Sequence, residues 1–362
     1  MAAPANLKPL TALRIFAALW VVLYDYWPNL GVASPALVAK GYLGVEVFFT
    51  LSGFILCHVY LDQAEQHRLR YGAFLWARLA RIYPMHLASI ALIGLMGAAA
   101  VLLRHPIDGN AVSLSALPAN LLLVNAWGFA PVSGWNHASW SISAEWFAYL
   151  AFPGFAAGAL ALKHRPCLAI GLAIAFLIGL YAAFSRLTGQ SLTHATIAWG
   201  ALRIVPCFAL GCALYLAWRA NLVRSAAAGW AGAAISGAAL ITFAQSGAPD
   251  EAIVIAGGGL ILSLAAVSKT WESGRILNSL VYLGEISYSV YMLFVPWQLF
   301  YVNLTSRVLH YDKGHMPTAV WIIFVISLFP LAAAAHHLIE RPARAIMRRG
   351  WRAPERRYAT VS

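Results

Sequence analysis

The sequence predicts an all-α fold, a polytopic membrane helix bundle of about ten transmembrane helices, and three observations carry the prediction. Of the 362 residues, 61% are hydrophobic and only 10% are charged, with a mean hydropathy of +0.70. Apolar windows long enough to cross a bilayer, about 17–25 residues, recur along the whole chain. The basic residues between them concentrate on one side of the membrane when the windows are counted as crossings. A soluble chain of this size needs a polar surface that these few charges cannot supply, whereas a bundle facing lipid needs almost none.

The first window, 10–28, reads LTALRIFAALWVVLYDYWP and carries Arg14 and Asp25. No short apolar region followed by a cleavage site precedes it, so it is expected to be a retained helix. The second, 42–61, opens on GVEVFF with Glu46. The third, 85–103, is preceded by WARLARIYP, which sets Arg78 and Arg81 one helical turn apart on one face. The run 117–131 (LPANLLLVNAWGFAP) is short and broken by Pro and Gly, and reads as a re-entrant or interfacial segment. The fourth window, 138–162, opens on a cluster of Ser139, Ser141 and Ser143, with Glu145 framed by Trp140 and Trp146.

The windows 167–185, 197–217 (with Arg203), 225–245, 251–268, 277–302 and 317–338 complete ten. With the N-terminus cytoplasmic, eighteen of the 25 basic residues fall inside: Lys8, Arg68, Arg70, Arg78, Arg81, Lys163, Arg165, Arg219, Arg224, Lys269, Arg275 and seven arginines of the tail. Five fall outside: Lys40, Arg104, Arg186, Arg307 and Lys313. The net charge of +12 is therefore a topology signal and not a nucleic-acid footprint. Residues 1–340 read as one integral-membrane domain and 341–362 as a basic cytoplasmic tail, which can also lie on the anionic headgroups of membrane lipids. The four cysteines read as packing residues, and no spacing suggests a metal or a permanently bound cofactor.

Function must come from the charges that the membrane makes expensive. At about 2.5–3.5 kcal/mol each, Arg14, Asp25, Glu46, Glu145 and Arg203 would together cost on the order of 10–15 kcal/mol if left unpaired. They must pair, face a wet cavity, or both. Arg14 and Asp25 lie three turns apart on one face, separated by roughly 16 Å along the axis, which suits a long anionic ligand. Arg78 and Arg81 present two guanidinium forks at the cytoplasmic mouth, a pairing that grips phosphates.

These stretches, in order, resemble the acyltransferase-3 family of bacterial membrane O-acyltransferases: LTALRIFAALWVVLYDYW, GYLGVEVFFTLSGFIL, RLARIYP, SWSISAEWFAYLAFP, RIVPCFALGCALY, LGEISYSVYMLFVP and HHLIERPAR. The resemblance implies a multi-pass protein of the bacterial cytoplasmic (inner) membrane with both termini cytoplasmic. It implies transfer of an acyl group, usually acetyl, from acyl-CoA to a hydroxyl of a glycan or lipid-linked sugar acceptor, such as an envelope polysaccharide. It assigns Arg78 and Arg81 to the acetyl-CoA donor, together with Arg14, and places the catalytic arginine–histidine pair of the first helix at Arg14 and position 25. Glu145 joins the catalytic set, and Glu46, Trp140, Ser143, Arg203 and Tyr288 support it.

The sequence departs from the family at position 25, which is Asp25 and not histidine. A base that removes a hydroxyl proton works best with a pKa near ambient pH, and an ordinary aspartate titrates near 4. Three explanations stay open. Asp25 is a base tuned by burial, or a substitution that disables the chain, or the base lies elsewhere, with Glu145, His86 and His137 as candidates; the disabled or impaired reading is preferred. Phe294 stands where many relatives carry histidine, and Glu340 of IERP reads as a helix-end organiser. A polytopic transporter or flippase of a lipid-linked glycan, and a catalytically silent acyl-CoA-binding relative, are the competing classes.

Overall fold

The computed structural model describes residues 7–104, 109–269 and 274–350. In chain order its helices are α1 (Lys8–Tyr26), α2 (Ala36–Ala39), α3 (Gly44–Glu65), α4 (Tyr71–Leu102), α5 (Leu117–Leu121), α6 (Ser139–Leu150) and α7 (Phe152–Ala161). They continue with α8 (Pro166–Thr188), α9 (Gly200–Arg219), α10 (Ala226–Ser246), α11 (Asp250–Ala266), α12 (Arg275–Leu309), α13 (Thr318–Ala335) and α14 (Arg341–Gly350). No strand occurs among the described residues. The tail beyond residue 350, with its last arginines, lies outside them.

Among the described residues, seven helical stretches are long and apolar enough to cross a membrane: Lys8–Leu30, Gly41–Glu65, Tyr71–Leu102, Pro166–Thr188, Gly200–Arg219, Ala226–Ser246 and Thr318–Arg349. The three other apolar windows are helical but differ for identifiable reasons. The window 138–162 is two helices, α6 of 12 residues and α7 of 10, because the chain breaks at Ala151 and restarts with Pro153 in the first turn of α7. Helix α11, with 17 residues, spans roughly 26 Å at 1.5 Å per residue. Helix α12 is 35 residues long but carries Arg275, Glu285, Arg307 and many Ser, Asn and Tyr side chains.

Backbones approach closely where glycine permits it. A Cβ on Gly53 of α3 would strike the carbonyl of Phe208 in α9, and one on Gly211 of α9 would strike that of Thr50 in α3. This reciprocal contact locks α3 to α9 by the small-residue packing that membrane helices favour. Gly44 sits in the same way on the Ala17 carbonyl of α1, and Gly284 of α12 on that of Thr11, one turn before Arg14. Gly44 and Gly284 thus draw α3 and α12 onto the arginine-bearing face of α1.

The segment 117–131 forms one short helix, α5, followed by turns, and its irregular backbone is satisfied by protein. The Asn120 carbonyl meets His86 Nε2 at 2.7 Å, and the Leu123 carbonyl accepts from Ser143 Oγ at 2.8 Å. The Ala126 N–H donates to Ser143 Oγ at 3.0 Å, and Gly128 N–H to the Ile197 carbonyl at 3.1 Å. Non-helical backbone at membrane depth requires such internal pairing.

Candidate active site

Helix α6 distributes its polar motif over three faces. Ser141, Glu145 and Tyr149, spaced by four, line a cavity of about 210 Å³. Ser139 and Ser143 face the 117–131 segment, where Asn125 Nδ2 donates to Ser139 Oγ at 3.3 Å and Trp127 Nε1 to the Ser143 carbonyl at 3.0 Å. Trp140 turns toward α9, and the Arg203 guanidinium lies 4.6 Å from its ring centre.

The cavity collects Arg14 from α1, Ser52 from α3, Arg78 and Arg81 from α4, and Tyr288 and Tyr291 from α12. Pro84 helps to set the α4 wall. It has no N–H to give within the helix, and beside this loosened turn Tyr288 OH donates to the Ile82 carbonyl.

Glu145 is held by two hydroxyls that both donate to Oε1, Ser52 Oγ at 2.5 Å and Tyr149 OH at 2.6 Å. Its Oε2 has no hydrogen bond among the described residues and is left to the cavity. Arg78 donates to Tyr60 OH at 3.3 Å and stacks over that ring at 5.4 Å, while its buried Nε has no acceptor. Arg14 and Arg81 belong to no ion pair among the described residues. Three guanidiniums therefore face one carboxylate. Glu340 also lies within electrostatic reach of Arg14, yet positive charge still outnumbers negative in this low-dielectric wall, where unbalanced charge is costly.

The other site candidates lie apart. Arg203, 2% exposed, donates from Nε to Glu46 Oε1 at 2.5 Å and from Nη1 to the Ala195 carbonyl at 3.0 Å. This pair adjoins a second knot in which Asp250 accepts from Lys40 Nζ at 2.6 Å, from Tyr42 OH at 2.9 Å, and from Thr193. Neither Glu46 nor Arg203 lines the cavity. His86 is sealed against Asn120, and His137 meets Ser133 Oγ at 2.5 Å; both are outside the cavity wall. Phe294 is buried, and its carbonyl accepts from Tyr26 OH at 2.7 Å. Glu340 accepts from Ser289 Oγ at 2.8 Å and meets His336 Nδ1 at 2.9 Å. Of the cysteines, Cys57, Cys207 and Cys212 are buried, whereas Cys167 is exposed on α8 and does not pack as expected.

Asp25 is half-buried near the far end of α1 and does not line the cavity. The described residues show no hydrogen bond to its carboxylate; Gln298 Nε2 donates to its backbone carbonyl at 3.2 Å. Tyr291 connects the two places. It lines the cavity, accepts from Ser141 Oγ at 2.8 Å, packs edge-on to Phe48 and Phe294, and lies within electrostatic reach of Asp25. Sequence reasoning singled out Ser141 among the hydroxyls beside Glu145 but missed Ser52, Tyr149 and Tyr291 as cavity residues. Tyr149 was findable, because it sits one turn beyond Glu145 on the same face.

Among curated proteins, the chain is 34% identical to acyltransferase MdmB of Streptomyces mycarofaciens over 157 residues, 41% of this chain and 38% of that protein. It is 23% identical to O-acetyltransferase OatA of Staphylococcus aureus over 370 aligned residues, 95% of this chain and 58% of that protein. A shorter stretch of 55 residues, 15% of this chain and 29% of the relative, is 44% identical to protein 2 in the picA locus of Rhizobium radiobacter. The chain covers less than two thirds of the length of each of these relatives. No solved structure matches. The family model for the acyltransferase domain matches residues 8–337, so the chain belongs to the acyltransferase-3 family.

Proposed function

We propose that this protein is a membrane O-acyltransferase that takes an acyl group, acetyl by family precedent, from acyl-CoA on the cytoplasmic side. The acceptor is a hydroxyl of a cell-envelope or exported glycan, free or lipid-linked. The proposal includes ten crossings of the bacterial inner membrane with both termini cytoplasmic, for which the asymmetry of basic residues is the support.

The observation that carries the reading is the cavity in which Arg14, Arg78 and Arg81 face the single carboxylate of Glu145. A phosphorylated donor supplies the missing negative charge. In the transfer itself the acceptor oxygen attacks the thioester carbonyl, the C–O ester bond forms, and the C–S bond breaks. The hydroxyl proton passes to a base and finally to the departing thiolate. Arg14, a cation that lines the cavity, is suited to stabilising the charge that develops on the carbonyl oxygen.

Among the described residues, no hydrogen-bond partner meets the Asp25 carboxylate to tune it as a histidine's neighbours tune an imidazole. We read the chain as impaired at its base. The test is transfer of label from labelled acetyl-CoA to envelope glycan in membranes that hold this chain or its Asp25→His variant. General bases contribute about 10²–10⁴-fold, and a gain of that order with histidine is expected. Equal, substantial transfer by both would remove position 25 from the base's role and make Glu145 the leading candidate. If neither binds nor transfers label, the enzyme reading fails and the transporter reading takes its place.

A further inference from the structure

Helix α14, with its arginines, packs against α4, the helix that carries the cavity residues Arg78 and Arg81. Helix α13 runs through a π-helical turn, His336–Glu340, into α14. Two contacts fix that passage. Glu340 is held by Ser289 of α12 and by His336, and Trp76 Nε1 of α4 donates to the Met347 carbonyl of α14 at 2.8 Å. Arg344 lies between these anchors, half-buried, on the helix that packs against α4.

It has Arg78, Arg81 and Arg348 within electrostatic reach. Glu340, one turn earlier, is also in reach, but its Oε2 is taken by Ser289 and His336, and Arg344 forms no ion pair among the described residues. Trp76 is two residues from Arg78, so the bond that pins α14 also fixes Arg344 against the arginine turn of α4. Packing contacts hold like charges together here at an energetic cost that an exposed tail would avoid by swinging away.

We propose that α14 is part of the donor site, with Arg344 binding a phosphate group of the same ligand whose other phosphates are gripped by Arg78 and Arg81. This rests on the donor reading above and extends it from the α4 pair to the chain's last helix. The ligand chemistry is a polyphosphorylated nucleotide-type molecule with more than one phosphate group. A lipid headgroup offers similar chemistry, and the test separates the two.

The full chain in nanodiscs of neutral phosphatidylcholine is titrated with adenosine 3′,5′-bisphosphate, with adenosine as the uncharged control. Arg344→Gln is expected to weaken bisphosphate binding about tenfold, the loss of a charge-assisted hydrogen bond, and Arg344→Lys to recover part of it. Arg349→Gln removes the same charge from the same helix outside the cluster and should leave affinity unchanged.

Equal affinity for the wild type and Arg344→Gln overturns the proposal, as does an equal loss with Arg349→Gln, which marks a diffuse field. A loss confined to nanodiscs doped with phosphatidylglycerol also overturns it, because the phosphate is then a lipid's. If the wild type binds neither the bisphosphate nor coenzyme A, the donor reading itself falls and this assignment with it.

Discussion

Breaking the Arg203–Glu46 pair decides whether two membrane-embedded charges serve structure or substrate. The pair is sealed, with Arg203 2% and Glu46 0% exposed and Nε to Oε1 at 2.5 Å. Glu46→Leu leaves a guanidinium whose remaining partners are the Ala195 carbonyl at 3.0 Å, the Tyr42 carbonyl at 3.5 Å and the Trp140 face. Removing one member of a buried pair costs about 3–5 kcal/mol. The two carbonyls and the indole face offset part of this, so about 3 kcal/mol is expected. Glu46→Leu/Arg203→Met removes both charges and should be more stable than Glu46→Leu alone, with a coupling of roughly 1–3 kcal/mol. The assay is thermal unfolding in detergent micelles, read for both single variants and the double. Donor binding, measured on the folded fraction, should be unchanged, because neither residue lines the cavity. Additive losses without coupling, or an unaltered melting temperature together with lost donor binding, would refute the reasoning and return the pair to the ligand path.

Three further outcomes are expected. Tyr149→Phe deletes one of the two donors on Glu145 Oε1 and should cost about 0.5–1.5 kcal/mol in stability, with weakened donor binding by titration. Arg81→Gln should weaken bisphosphate binding in the same titration about tenfold or more, because Arg81 is not committed to a protein carboxylate. Gly211→Ala drives a methyl into the Thr50 carbonyl and should destabilise by about 1–3 kcal/mol, measured as a lowered melting temperature, whereas Gly237→Ala, with open space around it, should not.

All ten apolar windows are helical, because hydrophobic length is a local property that a window can read. The break inside 138–162 escaped for the same reason. A window average passes over Pro153, and the division at Ala151 changes no composition. The reach of the polar residues was harder. Arg14, Arg78, Arg81 and Glu145 meet because α1, α4 and α6 wall one cavity, and no spacing along the chain encodes that adjacency. Glu46 finds Arg203 from 157 positions away because Gly53 and Gly211 let α3 and α9 touch. A sequence shows such glycines but not which helix each one faces.

Asp25 and Arg14 illustrate the limit most sharply. Helical periodicity places them on one face of α1 and invites a single ligand along it, yet Ala18 and Val21, which share that face, are buried against the bundle. The cavity at Arg14 therefore does not extend along the helix to Asp25. Tyr291, bonded to Ser141 and packed on Phe48, lines the cavity and lies within electrostatic reach of Asp25. Under the proposed function, a donor fixed by its phosphates at the arginine end and an acceptor approaching from the Asp25 end would meet at Tyr291.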